Sequence, residues 1–232
     1  MCGVLGIAIK NFNEGDYDLV RSLFIQSMIR GKHATGVSYV KNGRVNTIKD
    51  PIPANEWIEK QDLNEWKNED GNLYCVGHVR YSTSDLRYNQ PMATDDMAIV
   101  HNGVISQEAP EKWMERYSLG TLTANDSELI LRALEAGHNP LEYFHPASMA
   151  VCGVDAEKKL IAFRNEERPL YHCQTNNIIL YASTEDIIRR SELNGADLLF
   201  GIKKVPMYTV FVVDNFIISE YNTHIENVED LQ

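Results

Sequence analysis

The sequence predicts an α+β fold in which sheets pack against helices. Strand-like apolar segments flank two central helical segments, and the rest of the chain is rich in strands that follow one another. This order does not fit a doubly wound parallel sheet, in which a helix would follow each strand. With 232 residues, the chain is long enough to bury a sizeable core.

The first predicted elements are a strand and a helix. Residues 4–10 are mostly apolar, so this strand is expected to be buried on both faces. Residues 15–31 carry apolar side chains at three- and four-residue steps, which predicts an amphipathic helix that Gly31 can end. The apolar face of this helix comprises Val20, Leu23, Phe24 and Met28.

A hairpin and a second helix come next. The hairpin, residues 36–50, is centred on Asn42-Gly43, a strong turn signal because both residue types adopt positive φ. Residues 54–68 predict the second helix. Two further strands are predicted at residues 73–83 and 97–106.

The second half of the chain is predicted to contain one long helix and mostly strands. The helix at residues 123–137 has an acidic first turn and ends at Gly137. A short helix is predicted at residues 184–193. The strands are predicted at residues 147–155, 159–165, 177–183 and 208–215, and the apolar stretch 210–219 is interpreted as the final strand.

The charge balance is acidic. The chain has 22 basic and 33 acidic residues and a formal net charge of −11, which opposes binding to phosphate backbones or anionic membranes. No apolar run approaches the roughly 20 residues of a membrane span, and the first residues lack the pattern of a secretory signal. We therefore expect neither a nucleic acid nor a membrane as partner.

The four cysteines are widely separated. They are Cys2, Cys75, Cys152 and Cys173, and none forms a CxxC pair, so the spacing of zinc ligands is absent and we expect no metal site. Four cysteines in a chain of this length do not suggest a disulfide scaffold. A reducing compartment, the cytoplasm, fits this composition best.

Three polar clusters follow strand-like or precede helix-like segments. Arg80, in "GHVRYST", could form a structural ion pair or bind a ligand carboxylate through its planar fork. "HNG", residues 101–103, is a turn signal, but an Asn amide beside a Gly N–H is also a pair of donors for an oxyanion. Asp126, in "NDSE", could cap a helix or bind an ammonium group.

The opening "MCGVLGI" allows two interpretations. Cys2 could be a small hydrophobic residue at the start of a buried strand. Alternatively, Met1 is removed and Cys2 then carries a thiol and a free α-amine, that is, a nucleophile and a base. Together with Arg80, Asp126 and the donor pair, such a residue could hold a free amino acid and attack a side-chain amide, which makes the substrate glutamine or asparagine.

These motifs together resemble the glutaminase domain of class II glutamine amidotransferases, which are N-terminal nucleophile hydrolases. "MCGVLGI", "GHVRYST" with the following "NQP", "HNG" and "NDSE" occur in the family's order, and the second is very close to the amidophosphoribosyltransferase version. "RGKHATG" resembles the family's arginine-glycine turn, although His33 stands where relatives often have an acid. The resemblance implies a four-layer αββα sandwich of largely antiparallel sheets, with residues 1–232 as a single domain and no synthase domain.

The resemblance also implies a role for each matching residue. Cys2 would be the nucleophile, Asn102 and Gly103 would form the oxyanion hole, and Arg80 and Asp126 would bind the glutamine α-carboxylate and α-amine. The glutamine pocket would also be lined by Thr83 and Ser84. His78 and His101 are candidate bases, but strand packing is the better interpretation of both, because the α-amine serves as base in this family.

The expected reaction is hydrolysis of the L-glutamine side-chain amide through a γ-glutamyl thioester on Cys2, with no metal or organic cofactor. The ammonia would be transferred to an acceptor on a separate synthase subunit, or it would itself be the product of a stand-alone glutaminase. Two alternatives stay open: another N-terminal cysteine amide hydrolase, which would not need Arg80 and Asp126, and a non-catalytic domain that senses glutamine or serves as a scaffold.

Overall fold

The computed structural model describes residues 1–82, 88–191 and 201–223, and these form two antiparallel sheets. The strands of the first sheet are β1 (Gly3–Ile9), β2 (Ala34–Lys41), β3 (Arg44–Asp50), β4 (Leu73–Arg80), β9 (Tyr171–Gln174), β10 (Ile178–Ala182) and β11 (Lys203–Lys204). They lie in the order β11-β9-β10-β1-β4-β2-β3. The strands of the second sheet are β5 (Met92–Ala93), β6 (Met97–Val104), β7 (Ser148–Asp155), β8 (Leu160–Arg164), β12 (Thr209–Asp214) and β13 (Ile217–Asn222). They lie in the order β13-β12-β8-β7-β6-β5.

Helices cover the outer face of each sheet, so the expected four-layer αββα sandwich is confirmed. The described helices are α1 (Tyr17–Gln26), α2 (Ala54–Ile58), α3 (Trp113–Tyr117), α4 (Ser127–Glu135), α5 (Pro140–Tyr143) and α6 (Glu185–Arg190). α1, α2 and α6 pack on the first sheet, and α3, α4 and α5 pack on the second. A third apolar cluster lies between the two sheets. None of the helices in the described part of the chain is long and apolar enough to cross a membrane.

The first strand, β1, is buried on both faces, which explains why its sequence is apolar at nearly every position. Side chains alternate between the two faces of a strand. Leu5 and Ile7 face the helices of the outer layer, whereas Val4 and Ala8 face the second sheet. The prediction of a strand buried on both faces is therefore confirmed.

The predicted first helix is shorter in the structure. Its regular part is α1, and a 3-10 turn adjoins it at each end, at Glu14–Asp16 and Ser27–Ile29. Val20, Leu23 and Phe24 are buried as predicted, and Met28 packs at the edge of the same cluster. The hairpin is confirmed as β2 and β3, because Asn42 and Gly43 at its turn both have positive φ, at 56° and 63°.

The prediction of one helix over residues 54–68 is wrong. The segment forms α2 and a separate 3-10 helix, Leu63–Trp66. Trp57 and Trp66 lie nine positions apart, about two and a half turns, so one continuous helix would place them on opposite faces. In the structure both indoles pack on Phe24, with ring centroids 5.5 and 6.0 Å away. The break lets both tryptophans enter the same core.

The interpretation of residues 210–219 as one final strand is also wrong. Asn215 and Phe216 both have positive φ, at 52° and 63°, and form a two-residue turn between β12 and β13. The sequence predicted none of the short elements β5, β9, β11, α3 and α5, which have two to five residues each. Such segments are too short to show a periodic pattern.

Candidate functional site

Cys2 lies at one end of the sandwich, where the two sheets meet. It precedes β1 in the first sheet, and its backbone N–H donates to Asn102 Oδ1 of β6 in the second sheet, at 3.1 Å. The Cys2 carbonyl accepts from Arg30 Nε and from Ser183 Oγ, each at 3.4 Å. The residue before it, Met1, is 62% exposed. The backbone of Cys2 is thus fixed from three sides, while the preceding residue stays accessible.

The side chain of Asn102 has one occupied and one unoccupied end. Oδ1 accepts from the nitrogen of Cys2, whereas Nδ2 is buried and has no hydrogen-bond partner among the described residues. A buried donor without a partner costs roughly 1–3 kcal/mol. Such a donor, on a side chain bonded to the backbone of Cys2, is suited to bind a negatively charged oxygen that forms only during a reaction.

The neighbouring position must be a glycine. Gly103 has a φ of +157°, and a Cβ on it would lie well under 3.0 Å from the carbonyl oxygen of Ser148 on β7. Met149, which is opposite Gly103, is hydrogen-bonded through both its N–H and its C=O to Asn165 instead. The alternation of an antiparallel ladder then directs the N–H of Gly103 away from β7. The N–H of Gly103 and the side-chain amide of Asn102 therefore lie at the same end of β6.

Arg80 ends β4 beside this site and is half-buried. Its Nη1 donates to the carbonyl of Tyr88 at 3.1 Å and to Asn89 Oδ1 at 2.8 Å. These two bonds fix the plane of the guanidinium. Gly31 allows the chain to pass directly over Arg80, because a Cβ there would overlap the Arg80 backbone. The glycine predicted to end the first helix therefore also makes room for this arginine.

Asp126 is the residue before α4, but its side chain does not cap the helix. Its Oδ2 accepts from the backbone N–H groups of Ile105 and Ser106, at 2.6 and 3.2 Å. These two residues directly follow β6. The carboxylate of Asp126 is therefore joined to the same strand end that carries Asn102 and Gly103.

Two predicted pocket residues, Thr83 and Ser84, lie outside the described residues. The residue before them is held by His33, whose Nδ1 accepts from the N–H of Ser82 at 2.8 Å. The imidazole of His33 also packs on Tyr81, with ring centroids 5.2 Å apart. The unusual histidine of the "RGKHATG" segment thus fixes the start of the segment that contains these two residues.

The two histidines of the strands have the environment of core residues. Burial, together with the nearby positive charge of Arg80, lowers the pKa of His78 to about 3. Burial likewise lowers the pKa of His101. His101 Nε2 contacts the carbonyl of Ser148 at 3.3 Å, and its Nδ1 lies 2.9 Å from Ser127 Oγ. The pKa directions and these contacts support the interpretation of both histidines as packed, neutral side chains.

Buried neutral histidines make stability depend on pH. In the unfolded chain His78 and His101 would titrate near ~6.5, whereas burial in the native state lowers the pKa of both, that of His78 to about 3. The unfolded state then binds more protons, so the free energy of unfolding should fall by about 1.4 kcal/mol per pH unit for His78 as the pH drops below ~6.5, and His101 adds a loss of the same sign. Urea denaturation at about pH 7 and about pH 5 measures this loss. Equal free energies at both values would show that these histidines titrate normally in the fold.

The three cysteines other than Cys2 are buried and unreactive by environment. Burial raises the pKa of the Cys75, Cys152 and Cys173 thiols, the last to about 12. All four cysteines are unpaired, and Cys2 is the one that is partly exposed. Among the thiols, Cys2 is therefore the candidate for chemistry.

Sequence reasoning missed three residues that connect these side chains: Gln90, Ser127 and Ser148. Gln90 and Ser127 lie within the quoted motifs "NQP" and "NDSE" but received no role. The structure joins both of them to His101 by hydrogen bonds. No sequence signal distinguishes such a buried polar contact from an ordinary turn or helix start.

Comparison with known proteins gives sequence relatives of a single kind. A glutamine–fructose-6-phosphate aminotransferase of Bartonella henselae is 32% identical over 157 residues, which cover 61% of this chain and 24% of the relative. The enzyme of the same name from Sulfolobus acidocaldarius is 26% identical over 187 residues, which cover 73% of this chain and 31% of the relative. The chain thus matches only about a quarter to a third of the length of these curated relatives. No protein-family model matches it.

Solved structures share the fold over nearly the whole chain. Glutamine phosphoribosylpyrophosphate amidotransferase from B. subtilis superposes with a TM-score of 0.71 at 18% identity, covering 95% of this chain and 49% of that one. A glutamine aminotransferase class-II domain protein from Silicibacter pomeroyi superposes with a TM-score of 0.58 at 12% identity, covering 96% of this chain and 99% of that one. The amidophosphoribosyltransferase type is matched by fold, and the fructose-6-phosphate type by sequence. The class II glutamine amidotransferase type, which the motifs resemble, thus fits both the sequence relatives and the shared fold.

Proposed function

We propose that this protein hydrolyses the side-chain amide of L-glutamine, with Cys2 as nucleophile after removal of Met1. The observation that carries this proposal is the contact between Cys2 and Asn102. One end of the Asn102 amide holds the nitrogen of Cys2, and the other is a buried donor without a partner in the described structure. This contact supports the proposal, because it joins the residue that bears the thiol, through a nitrogen that would become an amine on processing, to a side-chain donor that would bind the oxyanion.

The α-amine of the processed chain would act as the base. An α-amine titrates near ~7.7–8.0 and a thiol near ~8.5, so proton transfer between them is nearly balanced close to neutral pH. Asn102 Oδ1, 3.1 Å from this nitrogen, would orient the amine toward its own thiol. Neither His78 nor His101 is needed for this step.

The thiolate would then attack the amide carbonyl and form a tetrahedral intermediate. Its oxyanion would bind between Asn102 Nδ2 and the N–H of Gly103. The leaving nitrogen of the intermediate takes the proton back from the α-ammonium group of Cys2, the C–N bond breaks to release ammonia, and a γ-glutamyl thioester stays on Cys2. Water hydrolyses the thioester to glutamate and returns the thiol.

Arg80 and Asp126 would select a free amino acid as substrate. The Arg80 guanidinium, oriented by Tyr88 and Asn89, would bind the α-carboxylate. The Asp126 carboxylate, held beside the end of β6, would bind the α-ammonium group. Thr83 and Ser84 would line the rest of the pocket, as the family resemblance implies.

The ammonia would serve a synthase reaction. The relatives are named as aminotransferases and amidotransferases, and this chain matches a fraction of their length. We propose that residues 1–232 form one glutaminase domain and that the acceptor binds to a separate synthase subunit in the cytoplasm. Affinity purification from the native source should recover that subunit, and its addition with acceptor should raise glutamine turnover.

A glutaminase assay tests the proposed activity. The protein lacking Met1 should release equal amounts of glutamate and ammonia from L-glutamine and should not act on amides of simple acyl groups. Preference for apolar amides would identify another N-terminal cysteine hydrolase. Glutamine binding without turnover, with or without a synthase, would identify a sensing domain.

The Arg80→Lys variant tests how the substrate is bound. Lysine keeps the positive charge but cannot form the bidentate fork. Because a charged hydrogen bond contributes ~1.5–3 kcal/mol, we expect KM for glutamine to rise about 10- to 100-fold. The measurement is steady-state kinetics, with Arg189→Lys, on the exposed face of α6, as a matched control. An unchanged KM in a folded Arg80→Lys protein would refute the carboxylate role.

A further inference from the structure

The side chain of Gln90 connects the candidate site to its surroundings by a chain of buried hydrogen bonds. Gln90 Nε2 donates to Ser127 Oγ at 3.0 Å, and Ser127 Oγ lies 2.9 Å from His101 Nδ1. His101 Nε2 contacts the carbonyl of Ser148 at 3.3 Å. All four residues are buried.

These contacts have one consistent direction. The Ser148 carbonyl is an acceptor, so Nε2 of His101 must carry the ring proton. His101 Nδ1 is then an acceptor, and the Ser127 hydroxyl donates to it. This leaves the Ser127 oxygen to accept from Gln90. The neutral imidazole that burial favours is thus the form that satisfies every member of the chain.

Gln90 also pairs with the backbone of β6. Its Oε1 accepts from the N–H of His101 at 2.6 Å, and its Nε2 donates to the His101 carbonyl at 3.0 Å. The side-chain amide therefore takes the place of a neighbouring strand, immediately before Asn102 and Gly103. The last two members of this series of hydrogen bonds, His101 Nε2 and the Ser148 carbonyl, lie directly beneath Gly103. A Cβ on Gly103 would overlap the Ser148 carbonyl oxygen and crowd His101 Nε2.

We propose that Gln90 is a positioning residue for the oxyanion hole, acting through His101, Ser127 and the Ser148 carbonyl. This inference rests on the proposed glutamine hydrolysis. Gln90 sets the position of the strand end that presents Asn102 and Gly103, whereas Arg80 and Asp126 hold the substrate itself. Loss of the Gln90 amide should therefore affect kcat far more than KM.

The kinetic test compares Gln90→Met with a matched control. Methionine keeps the length of the side chain but removes the donor and acceptor. Because small misplacements at a reacting centre can cost ~10²-fold, we expect kcat to fall about 10- to 100-fold with KM changed less than about threefold. The control is Asn68→Leu, which removes a buried amide bonded to Asp70 and Asn72, at the opposite end of β4. It should unfold more easily but keep its kcat.

A milder variant guards against a failure to fold. Ser127→Ala removes one hydroxyl from the middle of the chain and should show the same pattern, a lower kcat with little change in KM. A wild-type kcat in folded Gln90→Met or Ser127→Ala protein would overturn the inference. So would an equal loss of kcat in Asn68→Leu, since it would indicate a general effect of stability.

A spectroscopic readout separates this inference from the proposed function. ¹⁵N NMR of the wild type should show a neutral His101 with its proton on Nε2. Gln90→Met should displace the Gly103 amide signal, whereas Asn68→Leu should not. These signals do not depend on turnover. An inactive wild type with the expected signals would refute the glutaminase proposal alone, whereas an unmoved Gly103 signal in Gln90→Met would refute the positioning role.

Discussion

Cys2→Ala protein is expected to hydrolyse glutamine at least about 10⁴-fold more slowly than the processed wild type, because removal of a nucleophile generally costs this much or more. Alanine leaves the α-amine and the contact with Asn102 in place, so only the thiol is lost. Ammonia and glutamate release, measured on protein whose processed N-terminus is confirmed by mass spectrometry, gives the ratio of rates.

Cys173→Ala is the matched control for this variant. Cys173 is a buried thiol in β9 of the same sheet, and burial raises its pKa to about 12. Its removal should alter stability but leave glutamine turnover intact. Equal turnover in Cys2→Ala and the wild type would eliminate the nucleophile assignment and with it the proposed mechanism.

Substitution of Asn102 should have the second largest effect. Asn102→Ala removes the Nδ2 donor, and the loss of one such donor typically costs ~10²–10³ in kcat. The same change also removes Oδ1, which holds the nitrogen of Cys2. Steady-state kinetics alone cannot separate these two roles in the alanine variant.

Asn102→Asp distinguishes them. Aspartate keeps an oxygen for the nitrogen of Cys2 but replaces the donor by a second negative oxygen, facing the position of the oxyanion. If the oxyanion role dominates, this variant should be at least as slow as Asn102→Ala. A rate for Asn102→Asp close to that of the wild type would instead assign to Asn102 only the orientation of the amine.

Much of the fold could be predicted because a strand that is buried on both faces has apolar residues at nearly every position. Residues 4–10 are mostly apolar because Leu5 faces the outer helices and Val4 faces the second sheet. The Asn42-Gly43 turn could also be predicted, because it requires only that these two adjacent residues adopt positive φ. The break in the helix between Trp57 and Trp66 could not be predicted from the sequence. It depends on the contact of both indoles with Phe24, a residue distant in sequence.

The candidate site likewise has features that could be predicted from the sequence and features that could not. Cys2 and Asn102 were found through motifs, and the structure brings them into contact. Asp126 was expected either to cap α4 or to bind an ammonium group. Its side chain does not cap α4 and bonds to the backbone after β6, and the ammonium role stays a prediction. Gln90 received no role, because a side-chain amide that substitutes for a strand becomes visible only when β6 and the "NQP" segment lie side by side.

The central claim is that the thiol of Cys2 attacks the side-chain carbonyl of glutamine. A diazoketone analogue of L-glutamine tests this most directly, because its diazo carbon takes up a proton and the thiolate then displaces N₂ to form a stable thioether. Peptide mass spectrometry of the processed protein should place a single label on Cys2, and an excess of L-glutamine should prevent it. Labelling of Cys75, Cys152 or Cys173, or no labelling of a protein that turns over glutamine, would contradict the claim.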